Sequence, residues 1–163
     1  METIYFNNTK ELKREKENLE KKLEIKIEIN GKKVDFSGSA LKEYEALIVL
    51  DALSFGFSAK QSLTLLNENF IFRILPIKNF TRRKNMTEIR ARLIGTEGRT
   101  KRTIEEISNC NIVIKENSVG LIAPAENIDE ATTALANLIR GSKQANVYRF
   151  LEKVNTKRKQ YKQ

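Results

Sequence analysis

The residues of this sequence that are best suited to chemistry are Gly95 and Gly98, two glycines three positions apart in a run rich in cations. Apolar residues recur at helical spacing before and after this pair, so the run 90–104 predicts a helix, a glycine turn and a second helix. Glycine has no side chain to hold a ligand away, and phosphates can therefore approach main-chain N–H groups at the start of the second helix. We predict that this turn binds phosphate groups.

The charge around the turn favours a polyanion over a single neutral metabolite. Residues 81–163 hold 17 Lys and Arg against 9 Asp and Glu, whereas residues 1–80 hold 13 against 12, and the net charge of the chain is +9. The excess of positive charge therefore lies in the half with the glycine turn. Four cations lie next to the glycines: Arg92, Arg99, Lys101 and Arg102.

The elements around the turn are predicted in the order β-α-α-β-β-α. A strand at 69–77 precedes the first helix. After the second helix, two β-branched runs within 111–123 flank a polar turn at Glu116–Ser118 and predict a hairpin. An amphipathic helix then runs from about Asn127 to Arg140 and ends at Gly141, a residue suited to a C-cap.

This arrangement resembles the type I KH domain, with Ile94-Gly-Thr-Glu-Gly98 as the Gly-x-x-Gly loop and Ile112–Ile114 as the strand that lines the binding groove. KH modules clamp about four single-stranded nucleotides. Together, the runs 95–107 and 141–152 are similar to archaeal two-KH-domain proteins of small-subunit ribosomal RNA maturation, whose eukaryotic relative is a nuclease partner in pre-ribosomes. The resemblance implies an α+β fold of two tandem type I KH-like modules, each a three-stranded antiparallel sheet packed on helices.

The resemblance also implies a function without catalysis. The chain is expected to be an adaptor that binds single-stranded RNA through the second module, at the 3′ end of small-subunit ribosomal RNA and its precursor. The partners that it implies are a ribosomal RNA endonuclease, a ribosomal RNA methyltransferase and the alpha subunit of a translation initiation factor. No cofactor is expected.

The RNA-binding residues implied by the resemblance lie on the turn, at the start of the second helix and on the following strand. They are Arg92, Ile94, Gly95, Thr96, Glu97, Gly98, Arg99, Lys101, Arg102, Ile112 and Ile114. Ile94, Ile104 and Ile112 are expected to form an apolar floor, although Ile104 suits a core position equally well. Accessory basic residues are Arg82, Arg83, Lys84, Lys157, Arg158 and Lys159.

The turn departs from the family pattern at its two central residues. Relatives usually place a lysine directly after the first glycine, where this chain has Thr96 followed by Glu97. The acid opposes a phosphate at a cost on the order of 1 kcal/mol in high dielectric, which the neighbouring cations can offset. Lys101 stands where many KH domains have isoleucine and is expected to reach toward the phosphates.

The first half predicts a degenerate copy of the same module, in the order α-β-β-α. Helices are predicted at 10–23 and 41–53, strands at 24–29 and 32–36, and a linking helix at 58–66, with the hairpin at Asn30-Gly31. The counterpart of the glycine turn is expected at Asn7–Lys10, which has no glycine. Because side chains screen the backbone there and this half is nearly neutral, we expect it to contribute packing or protein contacts.

The predicted domains are 1–67, 68–145 and 146–163, the last a short helix at 147–154 followed by a frayed basic tail from Asn155. One cysteine excludes an internal disulfide, and without histidine the usual zinc sets cannot be assembled. Cys110 suits a small buried thiol. No run is apolar enough to span a membrane, so a cytoplasmic protein is expected.

Three other functions remain open. An enzyme acting on RNA is disfavoured, because there is no histidine and the carboxylates are scattered along solvated helices. A protein-binding scaffold of ribosome assembly with little RNA specificity, and a general single-stranded nucleic-acid binder, both fit the residues.

Overall fold

The computed structural model describes residues 1–161, and the chain divides into two compact units, Met1–Glu68 and a second that begins at Asn69. We call them the first unit and the second unit. Each contains one three-stranded antiparallel sheet packed on helices, with strand order β1-β3-β2 in the first unit and β4-β6-β5 in the second. The predicted α+β architecture is confirmed.

The first unit begins with a strand that the sequence did not predict. Its elements are β1 (Glu2–Tyr5), α1 (Lys10–Leu23), β2 (Lys26–Asn30), β3 (Lys33–Ser37), α2 (Ala40–Phe55) and α3 (Ala59–Leu63), followed by a 3-10 turn at Thr64–Leu66. β1 is four residues long, lies at the sheet edge and is mostly exposed, so it lacks the alternating burial by which a strand is recognised.

The second unit has the predicted order of elements, with one helix more at its end. They are β4 (Phe70–Pro76), α4 (Met86–Ile94), α5 (Arg99–Ser108), β5 (Asn111–Lys115), β6 (Ser118–Pro124), α6 (Ile128–Arg140) and α7 (Gln144–Tyr161), with 3-10 turns at Ile77–Asn79 and Thr96–Gly98. The core lies between the sheet and the helices, where Leu93, Ile104, Leu121 and Leu135 are at most 1% exposed.

The two units repeat one set of hydrogen bonds at a constant offset of 85 positions. In the first unit, the Glu20 carboxylate at the end of α1 accepts a hydrogen bond from the Ile27 amide of β2, at 2.9 Å. In the second unit, the Glu105 carboxylate of α5 accepts one from the Ile112 amide of β5, at 3.0 Å. Helix α1 is therefore the counterpart of α5.

The same offset continues to the end of the next helix. The hairpins close at Asn30↔Lys33 and Lys115↔Ser118. Gly56 and Gly141 then end α2 and α6, and each glycine N–H donates to the carbonyls three and four residues before it. Both glycines have a positive φ, 133° and 110°, which glycine adopts without steric strain.

The offset differs only at the first strand. Tyr5 pairs with Lys33, and Pro76 pairs with Ser118, so the first strands are 71 positions apart. The second unit therefore has 14 more residues between its first strand and the equivalent helix, and α4 lies in that stretch. The first unit's counterpart of the glycine turn is consequently Lys10–Lys13, inside the first turn of α1, and not Asn7–Lys10 as predicted.

Helix α7 corrects the prediction of a frayed tail after Asn155. The helix continues to Tyr161, and its residues Val147 and Leu151 are each 2% exposed in the core. The Asn155 side-chain amide donates to the Ile107 carbonyl at 2.5 Å. Residues 162–163 of the predicted tail lie outside the described residues. The segment 155–161 is too polar to show an apolar stripe, and these tertiary contacts stabilise it instead.

None of the helices in residues 1–161 combines the length and the apolar character that are needed to cross a bilayer.

Candidate nucleic-acid interface

The candidate interface is centred on the glycine loop, residues 95–98, which connects α4 to α5. Gly95 has φ 78° and ψ 174°, and Gly98 has φ 73° and ψ 15°. Glu97 also lies in the left-handed region, with φ 54°, a conformation that costs a residue with a Cβ about 1–2 kcal/mol. The loop is therefore a strained turn, held between two helices.

The two glycines are needed for different reasons. A Cβ on Gly95 would lie 2.2 Å from Thr100 Oγ1 and 2.7 Å from the Thr100 backbone nitrogen, so the chain itself fills that space. A Cβ on Gly98 would have no atom within 4 Å. Gly98, and not Gly95, is thus the position where the absence of a side chain leaves the backbone open to a ligand.

Two amides of the loop are unused. The Gly98 N–H donates to the Gly95 carbonyl at 3.2 Å, and the Arg99 N–H donates to the Thr96 carbonyl. Within residues 1–161, the N–H groups of Thr96 and Glu97 make no hydrogen bond. They lie directly before the N-terminus of α5, where the helix dipole also favours an anion.

The four cations predicted around the loop have different surroundings. Arg102 donates to the Glu97 carbonyl at 2.5 Å and so fixes the strained residue of the loop. Arg92 donates to the Ser142 carbonyl at 2.8 Å, and Lys101 forms an ion pair with Glu105 at 3.4 Å. Arg99 is exposed and has no carboxylate partner in the described part of the chain. Of the four, Arg99 has the side chain that is most available to a phosphate.

The predicted apolar floor is smaller than expected. Ile94, at the end of α4, is 40% exposed and borders the glycine loop. Ile104 and Ile112 are 0% and 2% exposed, because both side chains pack into the core, and Ile114 is half-buried against the same core. Ile94 is therefore the one member of the predicted floor that presents a largely free side chain.

Strand β5 contributes its backbone instead. It lies at the edge of the sheet and pairs only with β6. The outward amide of Ile112 is occupied by Glu105, and because outward groups alternate along a strand, the amide of Ile114 also points away from β6. No hydrogen bond from the Ile114 amide to a described residue is present beyond the ladder. That edge can donate to a nucleic-acid base.

Arg90 is a functional candidate that the sequence analysis missed. Its guanidinium donates to the Glu116 carbonyl at 3.0 Å and to the Asn117 side-chain oxygen at 2.9 Å. These bonds tie α4 to the tip of the β5–β6 hairpin. Nothing in the local sequence distinguishes Arg90 from a solvated helix residue, since its partners lie 26 and 27 positions away.

The accessory basic residues divide into two sets. Arg82, Arg83 and Lys84 are exposed between β4 and α4, while Lys157 and Lys159 are exposed on α7. Arg158 is instead tied to the fold, through an ion pair with Glu130 at 2.7 Å and a hydrogen bond to Asn127.

Cys110 shows no sign of reactivity. Burial raises the pKa of its thiol to about 12, with a smaller contribution from the Glu105 carboxylate, so the thiol is protonated at neutral pH. In residues 1–161 there is no group of three or more Cys, Asp or Glu side chains placed to hold a metal ion.

A helix, a Gly-x-x-Gly loop and a second helix beside an edge strand define the class to which the second unit belongs. The eukaryotic-type KH domain (KH-domain type I) matches residues 71–156, more than half of the chain, and the chain belongs to this family. The resemblance found in the sequence is thereby confirmed.

Proteins similar to this chain are found in both archaea and eukaryotes. The chain is similar to KH domain-containing protein MJ0443 of Methanocaldococcus jannaschii, 27% identical over 149 residues that cover 87% of this chain and 66% of the relative. It is similar to pre-rRNA-processing protein pno1 of Emericella nidulans, 27% identical over 148 residues that cover 85% of this chain and 57% of the relative. The chain thus spans less than two thirds of the length of these curated relatives.

One solved structure is similar to this protein over nearly the whole length of both chains. It is the a/eIF2alpha-aDim2p-rRNA complex from Pyrococcus horikoshii, with a TM-score of 0.83, 26% identity, and coverage of 96% of this chain and 94% of that chain.

Proposed function

We propose that this chain binds single-stranded RNA through the second unit and acts as a non-catalytic adaptor in the maturation of small-subunit ribosomal RNA. The observation that carries the proposal is the pair of unused amides at Thr96 and Glu97, next to the open backbone of Gly98. Hydrogen bonds from backbone amides to phosphate oxygens are charge-assisted, and they require a ligand backbone to come close.

The RNA would be bound from both sides of the groove. On one side, phosphates accept from the Thr96 and Glu97 amides and from the Arg99 guanidinium. On the other side, the edge of β5 donates the Ile114 amide to a base, while Ile94 offers an apolar contact. The loop would hold the RNA backbone, as the Gly-x-x-Gly loop of KH modules does, and the edge of β5 would contribute to base preference.

The relatives support a ribosomal identity for the RNA. The fungal relative is named for pre-rRNA processing, and the similar solved structure contains ribosomal RNA and a/eIF2alpha. We therefore propose the 3′ end of small-subunit ribosomal RNA as the ligand and the alpha subunit of an initiation factor as a protein partner. A ribosomal RNA endonuclease, a ribosomal RNA methyltransferase and a cytoplasmic location belong to the same proposal.

A matched pair of variants tests the binding site. Gly98→Asp places a carboxylate beside the unused amides, and Gly31→Asp places the same group at a first-unit turn with a similar φ of 62° and equally open space. Both positions have room for the added side chain, and both place it in the left-handed region, which aspartate enters more readily than most residues, so the backbone strain is matched in the two variants. We expect Gly98→Asp to weaken single-stranded RNA binding about a hundredfold, or ~3 kcal/mol, and Gly31→Asp to leave it within about twofold.

The measurement is fluorescence anisotropy with a labelled RNA, together with thermal melts of both variants. Equal affinities of Gly98→Asp and the unchanged protein would overturn the site. In that case the scaffold function would be favoured. Competition with DNA of the same sequence separates an RNA adaptor from a general single-strand binder.

Crosslinking followed by sequencing of the bound RNA tests the identity of the ligand. We expect reads concentrated at the 3′ end of small-subunit ribosomal RNA. Reads spread evenly over messenger RNA would contradict the ribosomal assignment without affecting the binding site.

A further inference from the structure

Three arginines from different parts of the second unit meet at the turn between α6 and α7. The Arg83 guanidinium lies over Gly141, whose added Cβ would be 3.1 Å from Arg83 Nη2. Arg92 donates to the Ser142 carbonyl at 2.8 Å. Arg140, the last residue of α6, places its guanidinium carbon 5.7 Å from the centre of the Phe80 ring.

Lys143 follows directly in the chain and is exposed. Arg83, Arg140 and Lys143 form what we call the turn surface. The sequence does not predict this surface, because Arg83 lies 57 positions before Arg140. Only the fold brings Arg83 to the turn that carries Arg140 and Lys143.

The turn surface carries positive charge that the chain does not neutralise. In residues 1–161, none of its three side chains forms an ion pair or donates a hydrogen bond to a carboxylate. By contrast, Arg73 and Arg158 of the same unit are paired with Asp129 and Glu130. Like charges close together at a surface repel one another, so an anion that binds between them is stabilised.

The turn surface is also joined to the glycine loop. Arg92 reaches from the last turn of α4 to the Ser142 carbonyl, and the Gln144 side-chain amide donates to Thr100 Oγ1 at 3.4 Å. Thr100 is the residue that packs against Gly95. The turn between α6 and α7 is therefore hydrogen-bonded to α4 and to the residue that packs on Gly95, and it lies next to the glycine loop.

We propose that the turn surface is a second phosphate-binding site, which holds the part of the RNA strand that extends beyond the nucleotides clamped at the glycine loop. This inference rests on the proposed function. The ligand class is a polyanionic strand, because guanidinium groups bind phosphate oxygens with two parallel N–H donors. The Phe80 ring under Arg140 and the Gly141 backbone under Arg83 hold the two guanidinium planes in place without using these donors.

RNA length separates the two sites. The probes are a four-nucleotide RNA and an RNA of about twelve nucleotides, both taken from the 3′-terminal sequence of archaeal small-subunit ribosomal RNA. The variant is the triple change Arg83→Gln, Arg140→Gln and Lys143→Gln. We expect it to weaken binding of the longer RNA on the order of tenfold at low salt and to change binding of the shorter RNA less than about twofold.

Salt dependence gives an independent readout. Each phosphate contact contributes about 0.7 to the slope of log affinity against log salt for a single strand, so losing three contacts makes the slope for the longer RNA shallower by about 2. A matched control with the same change in net charge is Lys32→Gln, Lys33→Gln and Lys60→Gln, three exposed lysines of the first unit. This control is expected to leave the affinity for the longer RNA and the slope of its salt dependence nearly unchanged.

The outcomes distinguish the two proposals. If Gly98→Asp abolishes binding of both RNAs and the triple variant binds both normally, the second site is wrong and the proposed function stands. If Gly98→Asp binds both RNAs normally, the proposed function fails. Equal losses for both RNA lengths in the triple variant, or equal losses in the lysine control, would reduce the turn surface to a general charge effect and overturn it.

A charge-retaining variant guards against misfolding. Arg83→Lys with Arg140→Lys keeps the charge but removes the planar groups that pack on Gly141 and Phe80. Retained affinity for the longer RNA in this variant, with loss in the glutamine variant, supports phosphate binding. Loss in both, together with a lowered melting temperature, would mean that the arginines act by packing alone.

Discussion

The two units of this protein have the same sheet topology and the same capping hydrogen bonds, yet they differ where the candidate site lies. From Glu20 and Glu105 onward, the bond to the strand amide, the closing pair of the hairpin and the glycine that ends the next helix each recur 85 positions later. Before them, the second unit has 14 additional residues, which include α4. Where the second unit has Gly95–Gly98, the first unit has Lys10–Lys13 within a continuous helix.

The comparison separates the part of the module that both units share from the part that carries the candidate site. Lys10–Lys13 form the first turn of α1, where every residue carries a side chain and where Lys10 and Lys13 donate their amides to Asn8 Oδ1 and to the Thr9 carbonyl. The loop of the second unit instead leaves two amides free beside Gly98, which has open space in place of a side chain. The shared sheet and helices position the loop but do not create it. Substitutions at two pairs of equivalent positions, and at a third pair of residues that share a left-handed backbone, test this division.

The largest effect is expected at the equivalent positions Gly95 and Lys10. In Gly95→Ala, the new Cβ would collide with the Thr100 side chain and backbone, so α5 must shift or the loop must open. We expect the free energy of unfolding to fall by about 3 kcal/mol or more. Lys10→Ala, at the exposed start of α1, is expected to change it by less than about 0.5 kcal/mol. Urea unfolding followed by circular dichroism measures both.

An intermediate and equal effect is expected at Glu20 and Glu105. Replacing either by alanine removes the acceptor of an edge-strand amide, Ile27 or Ile112. A loss of about 1–2 kcal/mol in the free energy of unfolding is expected for each variant. If only one of the two variants loses stability, the two equivalent hydrogen bonds do not contribute equally to the free energy of unfolding.

The smallest effect is expected at Glu97 and Glu24, which share a left-handed backbone, with φ 54° and 55°. Changing either to glycine relieves strain and is expected to stabilise the protein by about 0.5–1 kcal/mol. The gain at Glu24 is reduced slightly by loss of its exposed ion pair with Lys42.

RNA binding separates these last two variants. Glu97→Gly also removes a negative charge beside the phosphates, so an increase in affinity of about fivefold, or ~1 kcal/mol, is expected. Glu24→Gly is expected to bind RNA as the unchanged protein does. Higher affinity in both variants, measured by anisotropy under the same salt conditions, would contradict a local role for the Glu97 charge.

The sequence predicts most of the scaffold, because its helices and hairpins are encoded locally. Gly31, Gly56 and Gly141 mark turns and helix ends through conformations that glycine adopts easily. β1 was missed because an exposed edge strand has no apolar alternation. The end of α7 was missed because Asn155 is held by a carbonyl 48 positions away, which local propensity cannot register.

The sequence identifies the candidate site at the level of the loop, but not at the level of single atoms. The two glycines mark the loop, whereas only the structure shows that Thr100 fills the space beside Gly95 and that the space beside Gly98 is open. The alternation of β5 predicts that Ile112 and Ile114 share a face, but not that this face is turned to the core. Arg90 is found only through its partners on the hairpin.

In the proposed binding mode, the two bonds of Arg90 would affect how fast and how selectively an RNA strand is bound. Because they fasten the β5–β6 hairpin to α4, the far wall of the groove is already ordered in the free protein. Ordering a flexible segment on association costs about 1–2 kcal/mol per residue, and this molecule avoids that entropy loss at the hairpin tip. A nucleic-acid segment that needs a wider opening would have to break both bonds before it could enter.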